Sequence, residues 1–166
     1  KIVNTLRSFS QADESGEMAA AHLKDGIEAV LAIYQSTFKH GTELRRCYED
    51  IAPLSCLPDD LTQVWTHLIH NALQAMDYQG KLCIAIRHND NETVLSVGDS
   101  GHGIAADIRP KIFDAFFTTR RTGEGSGLGL YLVKKIVDKR RGSIDIQTKV
   151  GAGTSVWVVF PVCAVA

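Results

Sequence analysis

Four short stretches of this chain carry residue types that suit joint action on a phosphorylated ligand. Asn71 lies in His67-Leu68-Ile69-His70-Asn71-Ala72-Leu73. At ~100° per residue, His67, Asn71 and Gln74 share one helical ridge beside the apolar stripe, at the rim of the core. An amide oxygen there suits a hard cation such as Mg2+, which keeps several waters and takes its remaining ligands largely from phosphates. A surface asparagine with no role fits the same spacing. Asp99 ends a run of β-type residues and precedes Ser100-Gly101-His102-Gly103-Ile104. Its carboxylate can accept from an exocyclic amine such as that of adenine, and the glycines let backbone come close to a ligand; Asp-Ser-Gly is also ordinary turn chemistry. Gly123, Gly125, Gly127 and Gly129 alternate just before an apolar run. Backbone N–H groups freed by such a run, together with a helix N-terminus, form an anion site. A flexible linker is disfavoured, because Leu128, Leu130, Leu132, Val133 and Ile136 continue directly into a helical pattern. Between the glycine segments, Phe113, Phe116 and Phe117 precede Thr118-Thr119-Arg120-Arg121. An aromatic anchor beside a basic, glycine-rich segment suits a lid that closes over phosphates, with Arg120 or Arg121 supplying charge; the same aromatics also suit core packing.

These residues need a frame. Residues 1–10 predict the end of a helix, with Ile2, Val3, Leu6 and Phe9 on one face, and the polar residues 11–17 end it. Leu23, Ile27, Val30, Leu31, Tyr34 and Phe38 predict one helix over 23–38, stopped by Gly41. Residues 44–48 read as a short strand. The strongest helix is 58–77: Pro58 suits a first turn, Asp59 and Asp60 suit the positive end of the dipole, and Leu61, Val64, Trp65, Leu68, Ile69, Ala72, Leu73 and Met76 form one stripe. Strands follow at 81–87 and 93–99, joined by hairpin residues 88–92. A helix runs from after Gly127 to Lys139, and strands at 143–148 and 154–160 flank Gly151-Ala152-Gly153. The pattern predicts an α+β fold: a two-layer sandwich with one mixed, mostly antiparallel sheet and helices on one face.

Composition narrows the classes. The 166 residues suffice for one domain with a real core, and 45% apolar content argues against disorder. A net charge of −1 argues against nucleic acid or an anionic membrane as the main partner. The longest apolar run, 156–166, is interrupted by Pro161 and falls short of the ~20 residues of a membrane helix. No signal-peptide pattern is present, and Lys1 in place of Met reads as the start of a piece cut from a longer protein. Cys47, Cys56, Cys83 and Cys163 have neither C-x-x-C nor metal-site spacing and read as reduced residues of a cytoplasmic protein.

In this order and spacing, the four segments resemble the N, G1, F and G2 boxes of the sensor histidine-kinase catalytic domain, in the GHKL ATPase superfamily with its Bergerat fold. The resemblance covers residues 17–162. It implies ATP and Mg2+ as ligands, with Asn71 holding the metal. It implies a nucleotide-binding set of Asn71, Asp99, Gly101, Gly103, Ile104, Phe117, Thr119, Gly125, Ser126, Gly127, Leu128, Gly129, Leu130 and Thr154, and a catalytic set of Asn71, Gln74 and Arg120. Residues 1–12 resemble the end of the preceding dimerisation helix and its linker, leaving 13–166 as the catalytic domain. Implied partners are an upstream dimerisation domain with the acceptor histidine, outside this chain, and a response-regulator receiver domain. The parent protein is implied to be a homodimer for which membrane anchoring stays open, with no membrane or nucleic-acid contact by these residues.

Two sequence details refine this. Such N boxes usually carry asparagine four residues before the metal ligand, where the ATP-hydrolysing relatives carry glutamate; this chain has His67. A dedicated hydrolase or a serine kinase regulating a partner is therefore the rival expectation, and phosphotransfer to histidine the favoured one. The six histidines are followed by Leu23, Gly41, Leu68, Asn71, Asn89 and Gly103, never by the acidic residue that usually follows a phosphoacceptor.

Overall fold

The computed structural model describes residues 19–21, 23–49, 54–56, 58–89 and 91–161. The expected helix at 1–10 and the boundary near residue 12 lie outside them.

The chain runs β1 (Ala19–Ala21), α1 (Leu23–Ile33), α2 (Gln35–His40), β2 (Thr42–Tyr48), β3 (Leu54–Cys56), α3 (Pro58–Ala75), β4 (Gly80–His88), β5 (Glu92–Asp99), α4 (Gly129–Lys139), β6 (Ser143–Lys149) and β7 (Gly153–Pro161). One turn of 3-10 helix at Arg109–Lys111 interrupts the long β5–α4 connection. Five strands form a sheet in the order β2-β4-β5-β7-β6. Only β2 and β4 are parallel; the other neighbours are antiparallel. β1 and β3 form a separate two-stranded antiparallel ribbon. The mixed sheet with helices on one face is the expected α+β sandwich.

Alternation explains the two layers. Leu82, Ile84 and Ile86 of β4 and Leu95 and Val97 of β5 point to the helices and are buried. Cys83 and Asp145, on the other face, are exposed. Against the inner face lies the whole α3 stripe, Leu61 through Met76, all buried, with Trp65 at its centre. Each aliphatic side chain so buried contributes roughly 1.5–3 kcal/mol. Ile27, Val30 and Leu31 of α1 and Val133, Ile136 and Val137 of α4 complete the core.

The helix expected over 23–38 is two helices. Tyr34 sits at φ −99° and ψ 14° between α1 and α2. Its hydroxyl meets Nδ1 of His70 on α3 at 2.9 Å, so a lateral anchor coincides with the break while Tyr34 and Phe38 still pack on the core. The β1–β3 ribbon was not expected. α3 stops at Ala75, and the chain turns through Asp77 and Tyr78 at φ 50° and 60°, with the Tyr78 N–H donating to the Leu73 carbonyl at 2.9 Å. The 88–92 hairpin is held by Asn89, whose Oδ1 accepts from the backbone of Asn91 and Glu92.

α3 and α4 run antiparallel. At one end Arg140 donates to Asp60 across 2.6 Å, both side chains largely shielded. The other end of α4 therefore reaches the ridge of α3: a methyl at Gly129 would lie 3.3 Å from Nδ1 of His67. One ion pair and one stripe thus bring the glycine-rich segment to Asn71. Asp60→Ala, which removes the carboxylate from a shielded ion pair, should cost about 1–3 kcal/mol in urea denaturation. Asp138→Ala, which breaks only the exposed Lys134–Asp138 pair, should stay within about 0.5 kcal/mol.

Candidate functional site

Between the C-terminal half of α3, the ends of β5 and β7, and the long β5–α4 connection lies a cleft of about 800 Å³. Of the residues singled out from sequence, Asn71, Gln74, Asp99, Gly103, Ile104, Phe117, Thr119, Arg120, Gly125, Ser126, Gly127, Gly129, Leu130 and Thr154 line it. Gly101 and Leu128 do not line it and stand next to residues that do.

One end is apolar and built around a carboxylate. Leu68, Ala72, Val97, Ile104, Ile108, Ile112, Ile146 and Val156 form its walls. Asp99 accepts the Gly101 N–H at 2.8 Å. Burial pushes its carboxyl above the usual 3.8, opposed by the Gly101 and Thr154 backbone N–H groups and by His102. A desolvated carboxylate in an apolar slot is a strong acceptor for a donor that fits beside it. Thr154 pairs with Asp99 in the β5–β7 register and is buried. Its Oγ1 lies 2.9 Å from that of Thr148, which also accepts the Ile104 N–H at 2.8 Å. Thr148, which ties β6, β7 and the segment after Asp99 together, was not singled out from sequence. The apolar walls at 108, 112, 146 and 156 were missed as well; Ile146 and Val156 simply continued strand alternation.

The other end is polar and open. The ridge of α3 presents His67, His70, Asn71 and Gln74. Burial, and then the neighbouring His70, holds His67 below the usual 6.5; burial and the Arg120 charge do the same to His70. Both imidazoles are thus biased toward the neutral form at pH 7. Above them, residues 117–127 cross the mouth. The loop closes on itself where the Phe116 N–H donates to the Gly127 carbonyl at 2.9 Å. Gly127, at φ 70°, lies against the Phe116 backbone so closely that no side chain fits. Phe116 is 74% exposed, so this aromatic is not core; Phe117 turns into the cleft. Arg120 reaches down and donates from Nη1 to Oε1 of Gln74. The first residues of α4, Gly129 and Leu130, bring its N-terminus to the same end, where free N–H groups and the dipole favour an anion.

Residues 56–164 match the family described as histidine kinase-, DNA gyrase B-, and HSP90-like ATPase. The chain belongs to that family. Its similarities fall in the histidine-kinase branch. The signal transduction histidine-protein kinase AtoS of Escherichia coli K12 is 29% identical over 98% of this chain and 27% of its own length. The sensor histidine kinase ZraS of the same organism is 38% identical over 72% of this chain and 26% of its own. The chain therefore spans about a quarter of these relatives. The solved catalytic domain of the histidine kinase ThkA superposes with a TM-score of 0.78 at 26% identity, covering 88% of this chain and 98% of that one. Full-length ShkA in complex with AMPPNP shares the fold, with a TM-score of 0.80 at 22% identity.

Asp99 carries a testable sign. Its raised pKa means that the protonated form favours the fold: this contribution is complete below the usual 3.8 and is lost as pH rises through the raised value. Asp99→Asn should therefore match wild type in melting temperature at the acid end, exceed it increasingly as pH rises through the carboxylate range, and keep a constant margin above it. The same variant should weaken adenine-nucleotide binding by about tenfold or more, measured by calorimetry.

Proposed function

We propose that this chain is the ATP-binding catalytic domain of a sensor histidine kinase, transferring the γ-phosphate of ATP to a histidine on a dimerisation domain outside these residues. The observation that carries the reading is the polarity of the cleft. A half-buried carboxylate sits in an apolar slot at one end, and a lid arginine and a helix N-terminus line the other. Adenine fits the first and a polyphosphate the second.

Asp99 would accept from the adenine amine, with Thr154 beside it and Ile104, Ile108 and Ile146 against the ring. Gly125, Ser126, Gly127 and the start of α4 would cradle the phosphates, with Phe117 and Thr119 covering them. Asn71 fits Mg2+: it is half-buried on the cleft wall, and its amide has no hydrogen-bond partner among the described residues. When bound, Mg2+ neutralises charge on the phosphate oxygens; few protein ligands are needed, because the phosphates and water supply the rest. The remaining work is positioning. The acceptor imidazole nitrogen attacks the γ-phosphorus in line as the bond to the β–γ bridging oxygen breaks, and ADP leaves. One turn before Asn71 stands His67, biased toward neutrality, where a hydrolase would need a carboxylate to activate water.

On this reading residues 13–166 are the catalytic domain and 1–12 end the dimerisation helix. The parent is a homodimer that passes its phosphoryl group to a response-regulator receiver domain, with this domain in the cytoplasm. No helix among the described residues is long and apolar enough to cross a membrane.

Calorimetry should show ATP binding that strengthens with Mg2+, and Asn71→Ala should abolish the strengthening while leaving metal-free binding within about twofold. Retained Mg2+ dependence would remove Asn71 from the metal. The chain alone, incubated with labelled ATP, should give no stable phosphoprotein, whereas rapid ATP turnover by it would favour a hydrolase.

A further inference from the structure

We propose that Gln74 is the positioning residue through which this site distinguishes a nucleoside triphosphate from a diphosphate, by holding Arg120 at the terminal phosphate. The inference rests on the reading of the cleft as an ATP site and adds to it a residue role and a discrimination.

Arg120 is a half-buried guanidinium that makes no ion pair among the described residues. Burial holds its pKa below the ordinary arginine value, and the ionisable groups Tyr78 and Glu124 offset this only from a distance. Such a charge is costly unless an anion comes to it. The side chain that does hold it is a neutral amide: Oε1 of Gln74 accepts from Nη1. A neutral acceptor orients the cation without cancelling it, which a carboxylate would do. The guanidinium has five N–H donors in one plane, so a single bond to Gln74 leaves most of them for phosphate oxygens.

Placement selects which phosphate. Gln74 lies one turn beyond Asn71 on the same ridge of α3, and both line the cleft with Gly125 and Gly129. On the reading above, this is the phosphate end of the cleft. A nucleotide with its base at Asp99 presents its last phosphate farthest from that carboxylate, under the lid. ATP brings a γ-phosphate to Arg120, and ADP does not.

The test is calorimetry with ATP and with ADP, each with Mg2+, on wild type, Gln74→Ala, Gln74→Met, Arg120→Ala and the double variant Gln74→Ala/Arg120→Ala. Arg120→Ala should weaken ATP about tenfold and leave ADP within about twofold. Gln74→Ala should weaken ATP roughly three- to tenfold with ADP again within about twofold. Gln74→Met keeps the bulk and removes the acceptor, and should match Gln74→Ala. The double variant should be no weaker for ATP than Arg120→Ala, because Gln74 acts only through the arginine. Equal weakening of ATP and ADP by either Gln74 variant, or full additivity in the double variant, overturns the role. Wild type binding neither nucleotide would overturn the underlying site reading, and the positioning role with it.

Discussion

The geometry of the cleft depends on one close passage of backbone. After Asp99 the chain dives beneath the end of α3, and the His102 N–H donates to the Ala75 carbonyl at 3.1 Å. Gly101 lies so near Ala75 that no side-chain carbon fits between them. In the same stretch the Gly101 N–H fixes the Asp99 carboxylate, and the Ser100 N–H is spent on the Lys81 carbonyl at 3.1 Å. Strand end, helix end and carboxylate are therefore one rigid piece. A Cβ at Gly101 would push β5 away from α3 and open the slot, although Gly101 is not itself among the residues lining the cleft.

The two ends of the cleft differ in what holds them, and the difference suits what each would do. The Asp99 end is walled by aliphatic side chains from strands and from α3, with the Thr148–Thr154 pair locking β6 to β7. Such a wall moves little, which suits recognition of a flat, rigid base. The lid end has few buried apolar contacts: a backbone bond from Phe116 to Gly127 and one side-chain bond from Arg120 to Gln74. Local opening there costs little. The electrostatics follow the same division, with a desolvated carboxylate at the rigid end and an uncompensated guanidinium at the loose one.

Much of this frame was legible in the residues. The α3 stripe is one-sided and long, so its period and buried face could be read directly, and every member proved buried. The hairpin at 88–92 and the turn at 151–153 carried their own chemistry. Tyr34 was different: its apolar spacing runs on unbroken through α1 and α2, and the break coincides with a hydrogen bond to His70 far along the chain. The walls at Ile108, Ile112, Ile146 and Val156 were hidden for another reason. An aliphatic residue facing a cleft and one facing the core give the same alternation, and only the tertiary arrangement separates them. Phe116 shows the converse, since its aromatic character reads as core while its backbone, at φ 66°, turns the ring out to solvent.

The central claim is that one rigid end of this cleft reads adenine and the other holds phosphates against α3 and α4. The most direct measurement is a crystal structure of the chain with a non-hydrolysable ATP analogue and Mg2+. The account predicts the exocyclic amine within roughly 2.7–3.2 Å of the Asp99 carboxylate, the triphosphate along Gly125, Gly127 and Gly129, and the cation on the Asn71 amide oxygen. A purine bound away from Asp99, or phosphates lying toward Thr154 rather than toward the lid, would contradict it.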